Sequence, residues 1–249
     1  MSGHSKWSSI KHKKGAADAK RGAQFTKLAR AIQIAARDGA DPKGNAGLAL
    51  AVQKAKDASM PKDNIERAIA KGAGLDKDAD AIEEVTYEGY GPAGVALLIH
   101  CLTDNRNRTG SDVRSILSKN GGSLGEPGSV AYVFDKKGVV VVDGEKYSED
   151  DVFVAIDAGA EDIVADGELI EVISEPHDFA AVRAALEAAG IELQRSDLVQ
   201  RPKNTVMLED SDAARLFRLI DLLEENDDVS DVAANFEVSD AALEALAAE

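Results

Sequence analysis

The sequence has few of the features that mark secreted, membrane-spanning or disulfide-bonded proteins. Cys101 is the single cysteine among 249 residues, so no disulfide can form within the chain, which fits a reducing cytoplasm. No apolar run is longer than that at residues 95–99, which is far too short to cross a bilayer. No apolar segment follows the charged residues at the N-terminus, so we expect no secretory signal. These absences predict a soluble, cytoplasmic protein that does not contact a membrane.

The sequence also lacks the motifs that mark catalytic, cofactor and metal sites. The glycine-rich segments 89–94 and 121–125 match neither a P-loop nor a dinucleotide-binding fingerprint. The four histidines are scattered, and a single cysteine offers no paired ligand spacing for a metal ion. Because the chain holds 45 Asp and Glu residues, no particular pair of carboxylates can be nominated as catalytic. We therefore expect a protein that is not an enzyme and that binds no cofactor, metal ion or small-molecule substrate.

Charge is sorted along the chain. Residues 1–75, here called the basic head, contain 15 Lys and Arg against 6 Asp and Glu. The remaining residues, here called the acidic body, contain 14 Lys and Arg against 39 Asp and Glu. A cationic segment on an anionic protein points to a polyanion as the partner of that segment. The charge pattern therefore predicts that the basic head contacts a nucleic acid.

Apolar spacing in the basic head predicts three short helices. Phe25, Leu28 and Ile32 recur at helical intervals within a helix expected over residues 20–37. A second helix is expected around Val52, and a third, after Pro61, with Asp63 and Glu66 as an Asp version of the capping box. Aromatic residues make up 4% of the chain, so its cores must be built from Val, Ile, Leu and Ala. We expect a basic helical domain over residues 1–80.

The acidic body reads as a mixture of strands and helices. Strands are expected at 85–90, 95–103 and 130–134, with a helix between 105 and 120. From residue 138 to 199 the order is strand, helix, strand, strand, helix, strand, which is the ferredoxin-like pattern. A strand, a helix and a strand follow over residues 205–236. The last three elements are too few to bury a sheet alone, so we expect them to join residues 81–136.

The predicted fold class is therefore α+β, with an N-terminal helical domain followed by two α/β sandwich domains. The middle domain is discontinuous and comprises residues 81–136 and 203–249. The ferredoxin-like domain, residues 137–202, is inserted within it. The linkers are expected near 135–138 and 201–203.

The densest candidate contact surface lies at the N-terminus. An aromatic ring surrounded by cations suits phosphate contact together with stacking on an exposed base. The basic side chains of the first helix, opposite its apolar face, are expected to extend this surface. The alternative is a solvated terminus whose lysines only aid solubility. The residues concerned are Lys6, Trp7, Lys11, His12, Lys13, Lys14, Lys20, Arg21, Lys27, Arg30 and Arg37.

A second candidate surface is the polar segment between a strand and a helix at residues 103–109. Asn105, Arg106 and Arg108 could hold a phosphate through two guanidinium groups and the backbone N–H groups at the helix start. In the structural alternative, Asp104 and Asn105 cap the helix while the arginines pair with nearby carboxylates. The sequence leaves both interpretations open.

Several motifs, in order along nearly the whole chain, resemble the YebC family. They are Gly3–Trp7, Ile10–Lys14, Asp18–Gly22, Phe25–Leu28, Tyr87–Pro92, Asp104–Thr109, Gly121–Gly125 and Gly128–Phe134. The resemblance implies three domains: an N-terminal helical one, a middle α/β one and a ferredoxin-like one inserted in the middle one. Two positions depart from the family pattern, since Ala93 stands where glycine is expected and Ala233 where tyrosine is expected.

The resemblance implies one of two functions. The family is usually described as bacterial transcriptional regulators that bind promoter DNA. Its members are also described as translation factors, among them a mitochondrial translational activator for cytochrome oxidase subunit I and bacterial proteins linked to ribosomes stalled on proline-rich stretches. The leading hypothesis is a DNA-binding transcriptional regulator, and the alternative is a translation factor that binds ribosomal RNA or the ribosome. No helix-turn-helix with a dimer interface is evident, and Trp7 among lysines suits RNA equally well.

Overall fold

The structure, a computed structural model, describes residues 18–75, 81–166 and 168–239, with the side chains of residues 18–21 left out. Within these ranges the chain forms two compact units. The first unit comprises the described residues up to 130 together with 209–232, and the second comprises 131–208 and the described residues from 233 onward. No helix in the described ranges is both long enough and apolar enough to cross a membrane.

The first unit begins with the three helices that the apolar spacing predicted. They are α1 (Asp18–Ala35), which continues into a 3₁₀ turn (Ala36–Asp38), α2 (Ala46–Asp57) and α3 (Lys62–Gly72). Their core is a cluster that includes Ile32, Leu48 and Ile65, each no more than 5% exposed. The helices approach one another closely, because a Cβ atom at Gly72 would lie 2.2 Å from a backbone oxygen of α1. A glycine is therefore required at this contact.

The predicted capping box at the start of α3 is wrong. Pro61 occupies the N-cap position, and no side chain caps this helix end. Asp63 lies inside the first turn, where its charge still suits the positive end of the helix. The fixed φ of proline, here −57°, starts the helix without a capping side chain. By contrast, Asn45 caps α2 by accepting a hydrogen bond from the backbone N–H of Leu48 at 3.0 Å.

A four-stranded sheet and two helices follow the three helices of the first unit. The strands β1 (Glu83–Tyr90), β2 (Ala96–Thr103), β3 (Ser123–Leu124) and β9 (Val229–Ala234) are ordered β3-β1-β2-β9. Helix α4 (Arg106–Lys119) packs on β1, β2 and β3, and α8 (Asp210–Glu224) packs on α4. The β1–β2 connection places Ala93 at a φ of 56°, in the left-handed region that favours glycine. The family's expected glycine at this position therefore has a conformational reason.

The second unit contains the predicted ferredoxin-like arrangement. Its elements are β4 (Phe134–Asp143), α5 (Glu149–Val152), α6 (Val154–Asp157), β5 (Ala160–Asp166), β6 (Leu169–Ser174), α7 (Phe179–Ala188) and β7 (Leu193–Pro202). The strand order is β5-β6-β4-β7, and every pair is antiparallel. The first helix of the predicted order, expected as one element, is divided at Phe153 into α5 and α6. Two short strands, β8 (Val206–Met207) and β10 (Phe236–Glu237), pair in parallel as a separate sheet.

Two of the predictions about the boundary of this region are wrong. Residues 131–133 form a 3₁₀ turn instead of the predicted strand over 130–134, and β4 begins at Phe134. The segments expected as linkers are paired strands, since Asp135 faces Arg201 and Phe134 faces Pro202 in the β4–β7 ladder. Charged residues and a glycine made 135–138 look like a linker, but pairing along both strands satisfies the backbone groups of these residues.

Candidate nucleic-acid interface

The predicted N-terminal cluster lies outside the described residues. The structure contributes nothing on Lys6, Trp7, Lys11, His12, Lys13 and Lys14, and it gives only the backbone of Lys20 and Arg21 within α1. These positions remain predictions from the sequence.

The basic side chains of α1 and of the 3₁₀ turn after it donate hydrogen bonds to backbone oxygens of the protein. The Lys27 ammonium donates to the backbone oxygen of Glu224, and the Arg37 guanidinium donates to that of Ile82. Arg30 Nη1 donates to the oxygen of Leu102 at 3.2 Å and to that of Asp227 at 2.7 Å. Lys27 and Arg30 are half-buried and Arg37 is exposed, so a contribution of these three side chains to the basic surface stays a prediction. These donors hold α1 and its 3₁₀ turn against the residue before β1, the end of β2 and the end of α8.

A buried carboxylate organises this contact. Asp228, 4% exposed, precedes β9 and accepts hydrogen bonds from Arg30 at 2.7 Å and Thr109 at 2.7 Å. Arg108 donates to the same carboxylate at 2.9 Å, and Thr103 donates to it at 3.3 Å. Burial raises the pKa of Asp228, but hydrogen bonds from Thr109 and Arg108 and the charge of Arg30 lower it by more, so the net pKa lies below its ordinary value. Asp228 is therefore ionised at neutral pH and joins α1, β2, α4 and β9.

Two of the three residues predicted in the 103–109 segment make the contacts of the structural alternative. Asn105 caps α4 by accepting from the backbone N–H of Arg108 at 3.1 Å. The guanidinium of Arg108 pairs with Asp104 at 2.7 Å and with Asp228. Both residues therefore stabilise the start of α4, whatever further role they have.

Arg106, the third residue, is placed differently. Its side chain is exposed and makes neither an ion pair nor a side-chain hydrogen bond with any residue that the structure describes. Its backbone oxygen accepts from the hydroxyl of Tyr87 at 2.9 Å. Burial raises the pKa of Tyr87 despite the opposing charge of Arg106, so this hydroxyl keeps its proton at neutral pH. Arg106 is thus the member of the motif whose charge is available for a ligand.

Arg106 lies at one end of an open cleft of about 480 Å³ between α4 and the edge of the sheet. Sequence reasoning missed the other lining residues, although the spacing of Arg106, Gly110 and Arg114 on one helical face was a usable signal. The lining contains two arginines and no carboxylate. Its residues are Tyr87, Arg106, Asn107, Gly110, Ser111, Arg114 and Leu124.

The part of the chain that the structure describes offers no metal-binding cluster, since no three His, Cys, Asp or Glu side chains come together there. Cys101 is buried in β2, and burial together with the charge of Asp228 raises its pKa to about 12. This thiol therefore stays protonated and is a poor nucleophile at neutral pH.

Comparisons with known proteins agree on one family. Residues 5–75 match the model described as the TACO1/YebC protein N-terminal domain, and residues 82–236 match the TACO1/YebC second and third domain. A protein of Rubrobacter xylanophilus named "Probable transcriptional regulatory protein" is 57% identical over 242 residues, which are 96% of this chain and 97% of that protein. A protein of Acidothermus cellulolyticus with the same name is 55% identical over 245 residues, covering 98% of this chain and 99% of that one.

A solved structure shares the fold. The crystal structure of a conserved hypothetical protein, Aq1575, from Aquifex aeolicus is similar to this chain with a TM-score of 0.81 and 42% sequence identity. The similarity covers 90% of this chain and 93% of that one, so it includes both compact units.

Proposed function

This chain belongs to the TACO1/YebC family, and on that premise we propose that it is a nucleic-acid-binding regulator of gene expression without enzymatic activity. Its proposed partner is promoter DNA, bound through the basic head. The observation that carries the proposal is the sorting of charge, with 15 Lys and Arg against 6 Asp and Glu in residues 1–75. The names of the two relatives, both probable transcriptional regulatory proteins, support the same class.

Within the basic head, the proposed contacts are the N-terminal lysines and the aromatic ring among them. Lysines neutralise phosphates, and the sequence-independent part of the affinity comes from this neutralisation. Lys27, Arg30 and Arg37 already donate to protein oxygens, so we assign them to the positioning of α1. The acidic body, with 39 Asp and Glu, repels a polyanion and thereby orients the bound molecule. The proposed contact residues are Lys6, Trp7, Lys11, His12, Lys13, Lys14, Lys20 and Arg21.

A second candidate function is a translation factor that binds ribosomal RNA on the ribosome. Trp7 among lysines favours this alternative, because unpaired RNA bases are commonly held by stacking on aromatic side chains. The family resemblance supports both functions. The two differ in what binds best: a regulator prefers its own promoter over random duplex by about 10³-fold or more, whereas a ribosome-binding factor has no such preference.

A competition experiment separates the two functions. A labelled promoter duplex bound to the protein is competed with random duplex and with purified ribosomes. Strong preference for the promoter and no displacement by ribosomes support transcription regulation. A promoter-to-random ratio near one together with displacement by ribosomes at low concentration supports the translation factor. Binding to none of the three refutes the proposal of a nucleic-acid-binding protein.

Charge reversal tests the role of the basic head. The double variant Lys13→Glu, Lys14→Glu should weaken binding, and each lost phosphate contact should lower the salt dependence by about 0.9 log unit per log unit of salt for duplex DNA. The double variant Lys119→Glu, Lys136→Glu is the matched control, because it changes the net charge equally at two exposed positions outside the head. Equal effects of the two variants would show that the head has no special role.

A further inference from the structure

The arginines of the α4 cleft stand out in a protein with an excess of carboxylates. Neither Arg106 nor Arg114 makes an ion pair or a side-chain hydrogen bond with any described residue, and both are exposed. Arg108, two residues after Arg106, instead pairs with Asp104 and Asp228. With 45 Asp and Glu in the chain, carboxylates are abundant, yet none lines the cleft. The cleft therefore presents two guanidinium groups that pair with no carboxylate in the described part of the chain.

The spacing of these arginines suits an extended ligand. Arg106 and Arg114 are eight residues apart on α4, which separates their Cα atoms by about 12 Å along the helix axis. Phosphates along one strand of B-form DNA follow each other at about 3.4 Å along the duplex axis. The two guanidinium groups can therefore reach two different phosphates of one strand. A compact anion such as a single carboxylate would meet only one of them.

Gly110 keeps the centre of the cleft open. A Cβ atom at this position would lie 3.1 Å from the hydroxyl oxygen and 3.4 Å from a ring carbon of Tyr87. The Tyr87 hydroxyl is fixed by its hydrogen bond to the backbone of Arg106. The floor between the two arginines is thus formed by a backbone and an aromatic ring. A chain passing over it meets no side chain from position 110.

The remaining polar groups match the chemistry of a sugar–phosphate chain. Asn107 and Ser111 are exposed, line the cleft on the same side of α4, and offer an amide and a hydroxyl. Such groups commonly contact phosphate and sugar oxygens, while arginine binds phosphate through paired N–H donors.

We propose that this cleft is a second nucleic-acid contact site, in which Arg106 and Arg114 bind two phosphates of one strand and Asn107 and Ser111 bind the intervening backbone. The site rests on the proposed function, since it needs a nucleic acid as the partner. Its proposed contact residues differ from the N-terminal lysines. The ligand chemistry is the sugar–phosphate backbone, which either DNA or RNA supplies.

The test uses the full chain, a labelled 20-base-pair DNA duplex and a labelled 20-nucleotide single-stranded RNA, each over a range of salt concentrations. The variant Arg106→Ala, Arg114→Ala should weaken binding and lower the salt slope by about 1.8 for the duplex or about 1.4 for the single strand, two phosphate contacts in each case. The control Arg218→Ala, Lys136→Ala removes the same charge from exposed positions outside the cleft and should leave the slope unchanged. The probe whose slope falls by its own expected amount identifies the source of the backbone.

A second pair of variants separates a contact from a change in folding. Ser111→Glu places a negative charge at the exposed wall of the cleft and should weaken binding without lowering the melting temperature. Ser211→Glu is its control, because it makes the same change at an exposed helical position outside the cleft.

Three results would overturn the site. In the first, the Arg106→Ala, Arg114→Ala variant keeps its affinity and its salt slope while Lys13→Glu, Lys14→Glu loses binding. The basic head is then the contact surface and the cleft is not. In the second, Ser111→Glu and Ser211→Glu weaken binding equally. The weakening then comes from the change in net charge and not from a contact in the cleft. If the unaltered protein binds neither probe nor ribosomes, the proposed function itself fails and the site with it.

Discussion

Removal of the Asp228 carboxylate should destabilise the first unit more than any change on its surface. The carboxylate is 4% exposed and receives donors from α1, β2 and α4. In Asp228→Ala, the guanidinium of Arg30, whose side chain is 15% exposed, loses its counter-charge. The hydroxyls of Thr103 and Thr109, both 0% exposed, lose an acceptor at the same time. All three elements lose the group that joins them.

The expected magnitude follows from these burials. Removing one partner of a buried ion pair costs about 3–5 kcal/mol, because the other charge stays in a poorly solvated site. Arg108 adds little, since its guanidinium reaches solvent and keeps Asp104 as a partner. We therefore expect Asp228→Ala to lower the free energy of unfolding by about 3–5 kcal/mol, against a typical total of about 5–15 kcal/mol. Asp104→Ala, which removes only the exposed partner of Arg108, is the matched control and should have little effect.

The stability lost in Asp228→Ala should depend on pH in a defined direction. The pKa of Asp228 in the folded protein lies below its ordinary value, because hydrogen bonds and the charge of Arg30 outweigh the effect of burial. Its contribution is therefore present above the pKa of an unfolded aspartate, about 3.9, and is lost as the pH falls through the lower, folded pKa. The stability difference between the unaltered protein and Asp228→Ala should stay constant from pH 7 to pH 5 and narrow below about pH 4.

The assay combines a global and a local measurement. Urea unfolding followed by far-ultraviolet circular dichroism gives the free energies at each pH. Hydrogen exchange of the β2 peptide reports the contact directly, because the amide of Leu102 donates to the backbone oxygen of Asp228 at 2.8 Å. The role assigned to this carboxylate would be refuted if Asp228→Ala lost no more free energy of unfolding than Asp104→Ala. It would also be refuted if the stability difference between Asp228→Ala and the unaltered protein did not narrow in acid.

Three further predictions test the packing of the chain. Gly72→Ala should lower the free energy of unfolding by about 1–3 kcal/mol in urea titrations, because its Cβ would overlap α1. Gly22→Ala is the control: a Cβ at this position has nothing within 4 Å, so the free energy of unfolding should stay equal or rise. Cys101, buried and with its pKa raised to about 12, should resist thiol reagents at pH 8 in the folded protein and react in urea; rapid labelling of the native protein would contradict this. If the proposed inserted domain folds alone, the fragment 134–202 should unfold at a higher urea concentration than the fragment 137–202. The shorter fragment lacks the first three β4 residues, which pair with β7. Equal unfolding midpoints would show that these pairs contribute nothing to stability.

The sequence alone was sufficient to predict those elements whose structure depends on residues close together in the chain. Apolar residues three and four apart predicted α1, α2 and α3, because one face of each helix must be buried. The strand and helix order of the ferredoxin-like unit was predicted for the same kind of reason, and Asn105 was foreseen as a possible cap of α4. The start of α3 was predicted less well, since both Pro61 and Asp63 are reasonable signals and their competition is settled by backbone geometry.

Tertiary structure decided which charges face the protein and which face solvent. Arg30, Arg108 and Asp228 are far apart in the chain, and only the docking of α1 beside β2 and β9 brings them together. The spacing of Asp104 and Arg108 on one helical face allows a local pair that Arg106 lacks, but no local pattern shows that Arg108 also reaches a carboxylate 120 residues away. Sequence determines which residues carry charge and which helices form, whereas pairing depends on distances of a few ångströms that exist only after the elements have packed.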